Sequence, residues 1–179
     1  MEEAAQLALP VGGRDHVQGD PAAVLTLVEY GDYECPHCGA AYPIVKAVQK
    51  HFGKKLKFVY RNFPLKNVHP HAELAAEAAE AAAAQGRFWE MHDAIFEHQS
   101  RLGEHFLLEL AGKLNLDTQR FAKDLAAGTF RKRVEEDFMS GVRSGVNGTP
   151  GFFIDGVRYE DSWDFGTLTE VLEGVLEGA

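Results

Sequence analysis

Cys35 and Cys38 are the only cysteines in the chain, three positions apart in the run Glu34-Cys35-Pro36-His37-Cys38. This excludes a fold stapled by several bridges, the usual solution for a small domain that cannot build a core. A bridge between the two closes too short a loop to constrain the unfolded chain much. With 179 residues, 45% of them hydrophobic, the chain can bury a sizeable core without help. The pair is therefore directed toward chemistry or metal binding.

The surrounding pattern places it. Val24 to Tyr30 is β-rich and almost continuously apolar, as in a central strand covered on both faces, and Gly31-Asp32 breaks the run. From Pro36, the positions Ala40, Ile44, Val45, Val48 and Phe52 fall on one helical face, and Gly53 stands where a helix stops. Leu56 to Phe63 reads as the next strand. The result is a β–α–β unit with Cys35 at the strand-to-helix junction. Only helical patterns follow: His69 to Gln85, rich in alanine with Glu73, Glu77 and Glu80 on a polar face, then Arg87 to Gln99, Glu104 to Leu114, Asp117 to Ala127 with Asp117 as N-cap, and Thr129 to Ser144. Strand character returns at Gly151 to Ile154. Asp155-Gly156 is a hairpin signal, Val157 to Tyr159 is the returning strand, and a final amphipathic helix carries Phe165, Leu168, Val171, Leu172 and Val175.

The net charge of −9 disfavours nucleic acid as a partner. The one basic cluster, Arg131-Lys132-Arg133, precedes Glu135-Glu136-Asp137 and reads as a solvated helix face. No apolar stretch is long enough to span a bilayer. Residues 1–16 lack periodicity and read as a flexible arm, with a single domain over 17–179. The opening MEEAAQLALPVGG is acidic where an export leader is basic, so a cytoplasmic address is the direct expectation. A chain whose leader had been removed would read alike, which leaves a periplasmic or other extracytoplasmic address as the alternative.

A C-x-x-C at the first turn of a helix supplies the two neighbouring thiols that disulfide exchange requires. The unpaired N–H groups and positive end of the helix favour the thiolate of Cys35, bringing such thiols from about 8.5 into a range of roughly 3.5–7.5. Cys35 is thus the expected nucleophile, and Cys38, one turn inside, the resolving thiol and its disulfide partner. His37 can stabilise the thiolate further, which makes the disulfide the stronger oxidant. Pro36 sets φ at the helix start and gives up an N–H that the first turn does not use. Glu29, a carboxylate in an apolar strand six positions before Cys35, is placed to move a proton to or from Cys38 if it is buried. A zinc site wants four ligands and a second C-x-x-C is missing; His69 and His71 more simply open the alanine-rich helix. No metal and no bound cofactor are expected.

Three segments in order, VEYGDYECPHCG, then RNFPL with HPHAELAAEAAEAAAAQGRFWEMHDAIF, then VNGTPGFFIDG, resemble the DsbA-like branch of the thioredoxin superfamily over about residues 15–177. The resemblance implies an α/β, thioredoxin-like fold with a helical insertion, about 65–144, between a β-α-β half and a β-β-α half. It assigns nucleophile and resolving thiol to Cys35 and Cys38, the buried proton-transfer acid to Glu29 and the proline facing the cysteines to Pro150. It also implies a cis Thr149–Pro150 bond that turns the Thr149 backbone toward an extended substrate segment. A lysine that partners the buried acid in some relatives has no counterpart in FVYRNF, and the chain has no room for the dimerisation domain of the isomerases, which favours a monomer.

The function expected is a thiol–disulfide oxidoreductase acting on protein or peptide thiols, with a redox partner to recycle it, and working as a disulfide donor. A cytoplasmic reductase with the same site and a non-catalytic redox sensor are the alternatives. A glutathione-linked transferase is disfavoured by the cysteine pair.

Overall fold

The computed structural model describes residues 3–178. They divide into two compact units: one comprises the chain up to Gly31, Ala40–Arg61 and the chain from Met139 onward, and the other Asp32–Gly39 and Asn62–Phe138.

The first unit is built on a five-stranded sheet in the order β1-β3-β2-β4-β5, where β1 is His16–Gln18, β2 Leu25–Gly31, β3 Leu56–Asn62, β4 Gly151–Ile154 and β5 Val157–Tyr159. The apolar run of β2 takes the centre: every residue in it except Thr26 is buried, because helices and neighbouring strands leave neither face to water. Helix α1, Pro36–Phe52, connects β2 to β3, and Gly53 follows it at φ +54°. On its other side β2 pairs antiparallel with β4, with Glu29 opposite Phe152 and Tyr30 opposite Gly151. Asp155 and Gly156 both take positive φ, 48° and 84°, as a two-residue hairpin requires. The Asp155 carboxylate also accepts the Thr26 N–H at 2.8 Å.

The three-residue strand β1 is too short to show a period in the sequence; it pairs antiparallel with β3. Residues 5–15, within the segment anticipated as a loose arm, make specific backbone bonds. Gln6 bridges Val157, Leu7 N–H donates to Gly156, and Arg158 N–H donates to Ala5. Arg61 holds the rest of this segment: its guanidinium is buried, pairs with Asp15 at 2.8 and 3.0 Å, and donates to the carbonyls of Leu9 and Pro10 and to the Tyr30 hydroxyl.

The second unit is helical, with α2 Ala72–Ala83, α3 Phe88–Glu97, α4 Glu104–Lys113, α5 Thr118–Ala127 and the first part of α6, Arg131–Arg143. Seven alanines of α2 are buried, and their small side chains let α3 and α5 pack close to its backbone. The helix begins at Ala72 rather than His69. Its glutamates also depart from the expected polar face: Glu77 and Glu80 are buried. The basic cluster explains how they are tolerated, since Arg133 Nε lies 2.9 Å from Glu80 and Arg131 Nε 3.7 Å from Glu77. A cluster read as a solvated face is therefore in part a set of ion-pair partners for α2. Burial still pushes the Glu77 carboxyl above its ordinary range. Asn62 completes this buried polar layer, donating to Glu80 at 2.9 Å and to Asp137 at 3.0 Å.

Helix α5 starts where its sequence signals, with the Asp117 carboxylate accepting the Arg120 N–H at 3.0 Å. Asp117→Ala removes that acceptor and should lower stability by about 1 kcal/mol. A chemical-denaturation midpoint that does not move would show the cap to be without weight.

Candidate functional site

Gly31 ends β2, and Asp32 turns the chain into α1. Its buried carboxylate organises the turn: one oxygen accepts the Glu34 N–H at 2.8 Å and the Cys35 N–H at 3.1 Å. The other accepts the Leu65 N–H and pairs with His69 Nδ1, both at 2.8 Å. The Asp32 N–H in turn donates to Cys38 Sγ at 3.4 Å. Glutamine anchors the same turn from behind, for Gln99 Nε2 donates to the carbonyls of Tyr33 at 3.0 Å and Cys35 at 2.7 Å. Gly39 leaves the space in which Gln99 lies, since a Cβ there would collide with its amide oxygen. Tyr33 is fixed by its hydroxyl against His92 Nδ1 at 3.0 Å and by its ring against Phe96.

Cys35 and Cys38 are both thiols at the first turn of α1, 4% and 0% exposed, so the N-terminal sulfur is the more accessible of the two. No acidic side chain lies within the helix's first turn to oppose a negative charge there. Pro36 occupies the first helical position, and it and His37 are exposed. Glu34 accepts from both the backbone and the ring of His71.

Cys35, Pro36, His37 and Cys38 thus share one unit, and Glu29, Thr149 and Pro150 belong to the other. Glu29 is 3% exposed, which excludes a strand-end glutamate reaching water. Pro150 immediately precedes β4, whose first residue is opposite Tyr30, the residue after Glu29; the Thr149–Pro150 peptide is cis. An open cleft of about 530 Å³ runs along this end of the unit, lined by Pro150, Phe152, Arg158, Tyr159 and Trp163 among others.

Sequence reasoning treated Asp32 only as a strand breaker and His69 only as a helix opener, and it passed over Gln99. An aspartate three residues before a helix-opening cysteine is itself a turn signal. The partners it recruits, 33 and 37 positions away, leave no local trace.

A pair of thiols opening the helix that follows the central strand of a five-stranded sheet in the sequence, with a helical segment before a β-β-α ending, defines a dithiol protein of thioredoxin-like fold. A family model described as Thioredoxin matches residues 12–174, and the chain belongs to that family, with a DsbA-like fold. The oxidised form of BdbD from Bacillus subtilis superposes with a TM-score of 0.84 at 26% identity, covering 98% of this chain and 100% of that one. Alpha-DsbA1 from Wolbachia pipientis shares the fold, with a TM-score of 0.82 at 20% identity over 96% of this chain and 95% of that one. By sequence, the chain is 44% identical over 173 residues to a Salinispora arenicola protein named Na(+)/H(+) antiporter NhaA 1, covering 96% of this chain and 26% of that protein. A Herminiimonas arsenicoxydans protein named Na(+)/H(+) antiporter NhaA is 43% identical over 164 residues, 92% of this chain and 26% of that protein. The chain spans about a quarter of the length of these curated relatives. Among the described residues, no helix is long and apolar enough to cross a membrane.

Proposed function

We propose that the protein exchanges disulfides with protein or peptide thiols through Cys35 and Cys38, running as a disulfide donor. The observation that carries this is the placement of both thiols on the first turn of α1, the more accessible sulfur at the positive end of the helix. In the donating direction a substrate thiolate attacks Cys35 Sγ of the Cys35–Cys38 disulfide. The Cys35–Cys38 bond breaks, a mixed disulfide forms, and Cys38 leaves as a thiolate that takes up a proton. A second substrate thiolate then attacks the substrate sulfur of the mixed disulfide and releases Cys35. The substrate pair has lost two electrons to the cysteine pair; of the two protons its thiols give up, one ends on Cys38 and the other goes to solvent while Cys35 stays a thiolate. A redox partner must reverse that change before the next cycle.

The remaining residues act on these steps. A thiolate stabilised by the helix end is the better leaving group, which pulls the second step toward release. His37 strengthens the effect. Buried Glu29 moves the proton to and from Cys38, and Thr149 and Pro150 present backbone to an extended substrate segment beside the cleft, with Pro36 on the exposed side of the motif. Compartment sets net flux. In a reducing cytoplasm the surrounding thiol pool holds the pair reduced and the protein runs as a reductase, whereas an oxidising compartment lets it donate.

Equilibration with a graded glutathione buffer, followed by thiol trapping, tests the direction. Donation predicts a potential of about −120 to −180 mV; a value near −270 mV would replace it with reduction.

The 44% identity to a quarter-length portion of antiporters favours one second reading, a redox module attached to a membrane transporter. A module that only reports its redox state undergoes one stoichiometric event with a model disulfide under excess reductant, and a catalyst turns over many times.

A further inference from the structure

We infer that His69 is a positioning residue for Cys35, acting through the carboxylate of Asp32 to keep the site's charge balance favourable to a thiolate. The inference deepens the proposed function and rests on its reading of Cys35 as the nucleophile.

Asp32 presents a physical problem. Its side chain is fully buried, and one of its oxygens takes the backbone N–H of Cys35 itself. A bare carboxylate so placed repels a negative sulfur in the same turn, in surroundings where charges are weakly screened. It also competes for the amide donors that make the helix end attractive to an anion. Yet the carboxylate is needed, because it shapes the turn through the N–H groups of Glu34, Cys35 and Leu65. A cation on its outer oxygen resolves the conflict, and His69 Nδ1 stands there at 2.8 Å with its side chain 17% exposed.

The titratable groups facing His69 are Asp32, Cys35 and Glu34, and Glu34 is itself paired with His71 at 3.1 Å. Burial works against a charged His69 ring, but the hydrogen bond and charge of Asp32, followed by the charges of Cys35 and Glu34, raise its pKa above the ordinary value. Coupling between two sites is reciprocal. If a thiolate on Cys35 favours imidazolium on His69, an imidazolium on His69 favours thiolate on Cys35 to the same degree. His37 differs in kind: it lies on the exposed side of the motif and has sequence proximity to the sulfurs, whereas His69 reaches them through a buried carboxylate.

His69→Asn separates charge from shape, since its amide can still donate to Asp32 but carries no charge. The test is the 240 nm thiolate absorbance of the reduced protein followed against pH, in the wild type, H69N and H69N/D32N, with far-ultraviolet circular dichroism to establish folding. H69N should raise the Cys35 pKa by about one unit, and removing the carboxylate in H69N/D32N should bring it back down. A folded H69N whose Cys35 titrates with the wild type overturns the inference, as does a double variant that stays as high as H69N. A second measurement needs no variant: the His69 ring, followed by NMR, should titrate higher in the dithiol than in the disulfide form, and equal values in the two forms overturn the coupling. The wild-type value of Cys35 judges the proposed function, and the differences between proteins judge the role of His69.

Discussion

Cys35→Ser should reduce disulfide exchange to the uncatalysed background, whereas Cys38→Ser should leave the first attack intact and accumulate a mixed disulfide on Cys35. The asymmetry follows from geometry: Cys35, 4% exposed, is the less buried of the two at the start of α1, and Cys38, 0% exposed, lies one turn inside. The loss has two parts. Lowering a thiol pKa from about 8.5 to about 5.5 raises its thiolate fraction at pH 7 roughly thirtyfold, but the accompanying loss of nucleophilicity, with a Brønsted slope of about 0.4–0.5, takes back roughly sixteen- to thirtyfold. Attack gains little. What grows is the leaving ability of Cys35 when a substrate disulfide forms, and for that reason a stabilised thiolate argues for donation rather than reduction. Stopped-flow exchange of the reduced variants with a model peptide disulfide, in which Cys35 Sγ attacks one sulfur and the other leaves as the peptide thiol, and mass measurement of the trapped species check both variants. Equal behaviour of the two serine variants would remove the distinction between nucleophile and resolving thiol.

The largest stability effect should come from Arg61→Ala. The guanidinium and the Asp15 carboxylate are 1% and 3% exposed, and removing one partner strands the other as a buried, uncompensated charge. Such losses are about 3–5 kcal/mol. The carbonyls of Leu9 and Pro10 and the Tyr30 hydroxyl lose a donor at the same time. Replacing both charges, with Arg61→Met and Asp15→Leu together, should recover much of the loss, because it removes the desolvation cost along with the pair. Urea unfolding of the three proteins measures this. A single variant within about 0.5 kcal/mol of the wild type would mean that water reaches the Asp15 carboxylate.

What was legible in the sequence was whatever local periodicity or turn chemistry encodes. The bounds of α1, β4 and β5, the Asp155-Gly156 turn and the Asp117 cap each depend on residues within a few positions of one another, and each lies where the pattern places it. The motif Cys35–Cys38 was legible for the same reason. The failures share the opposite property. Glu77 and Glu80 looked solvent-facing because helical spacing does not disclose that Arg131 and Arg133, more than fifty positions later, will meet them. The segment before His16 has no period, and its order comes from the edge of β5 and from Arg61. Asp32 was visible as a breaker, but its bond to His69 depends on how the helical unit folds back on the turn. Long-range polar pairing, which decides how a buried charge is tolerated, is thus the part that pattern reading misses.

The central claim is that the end of α1 stabilises a sulfur anion at Cys35. The most direct measurement is the pH dependence of carboxamidomethylation of Cys35 in the reduced protein, read from the mass of the modified peptide. The account predicts that the rate reaches half its plateau at or below about pH 7.5, and a midpoint near 8.5, the value of an unperturbed thiol, would contradict it.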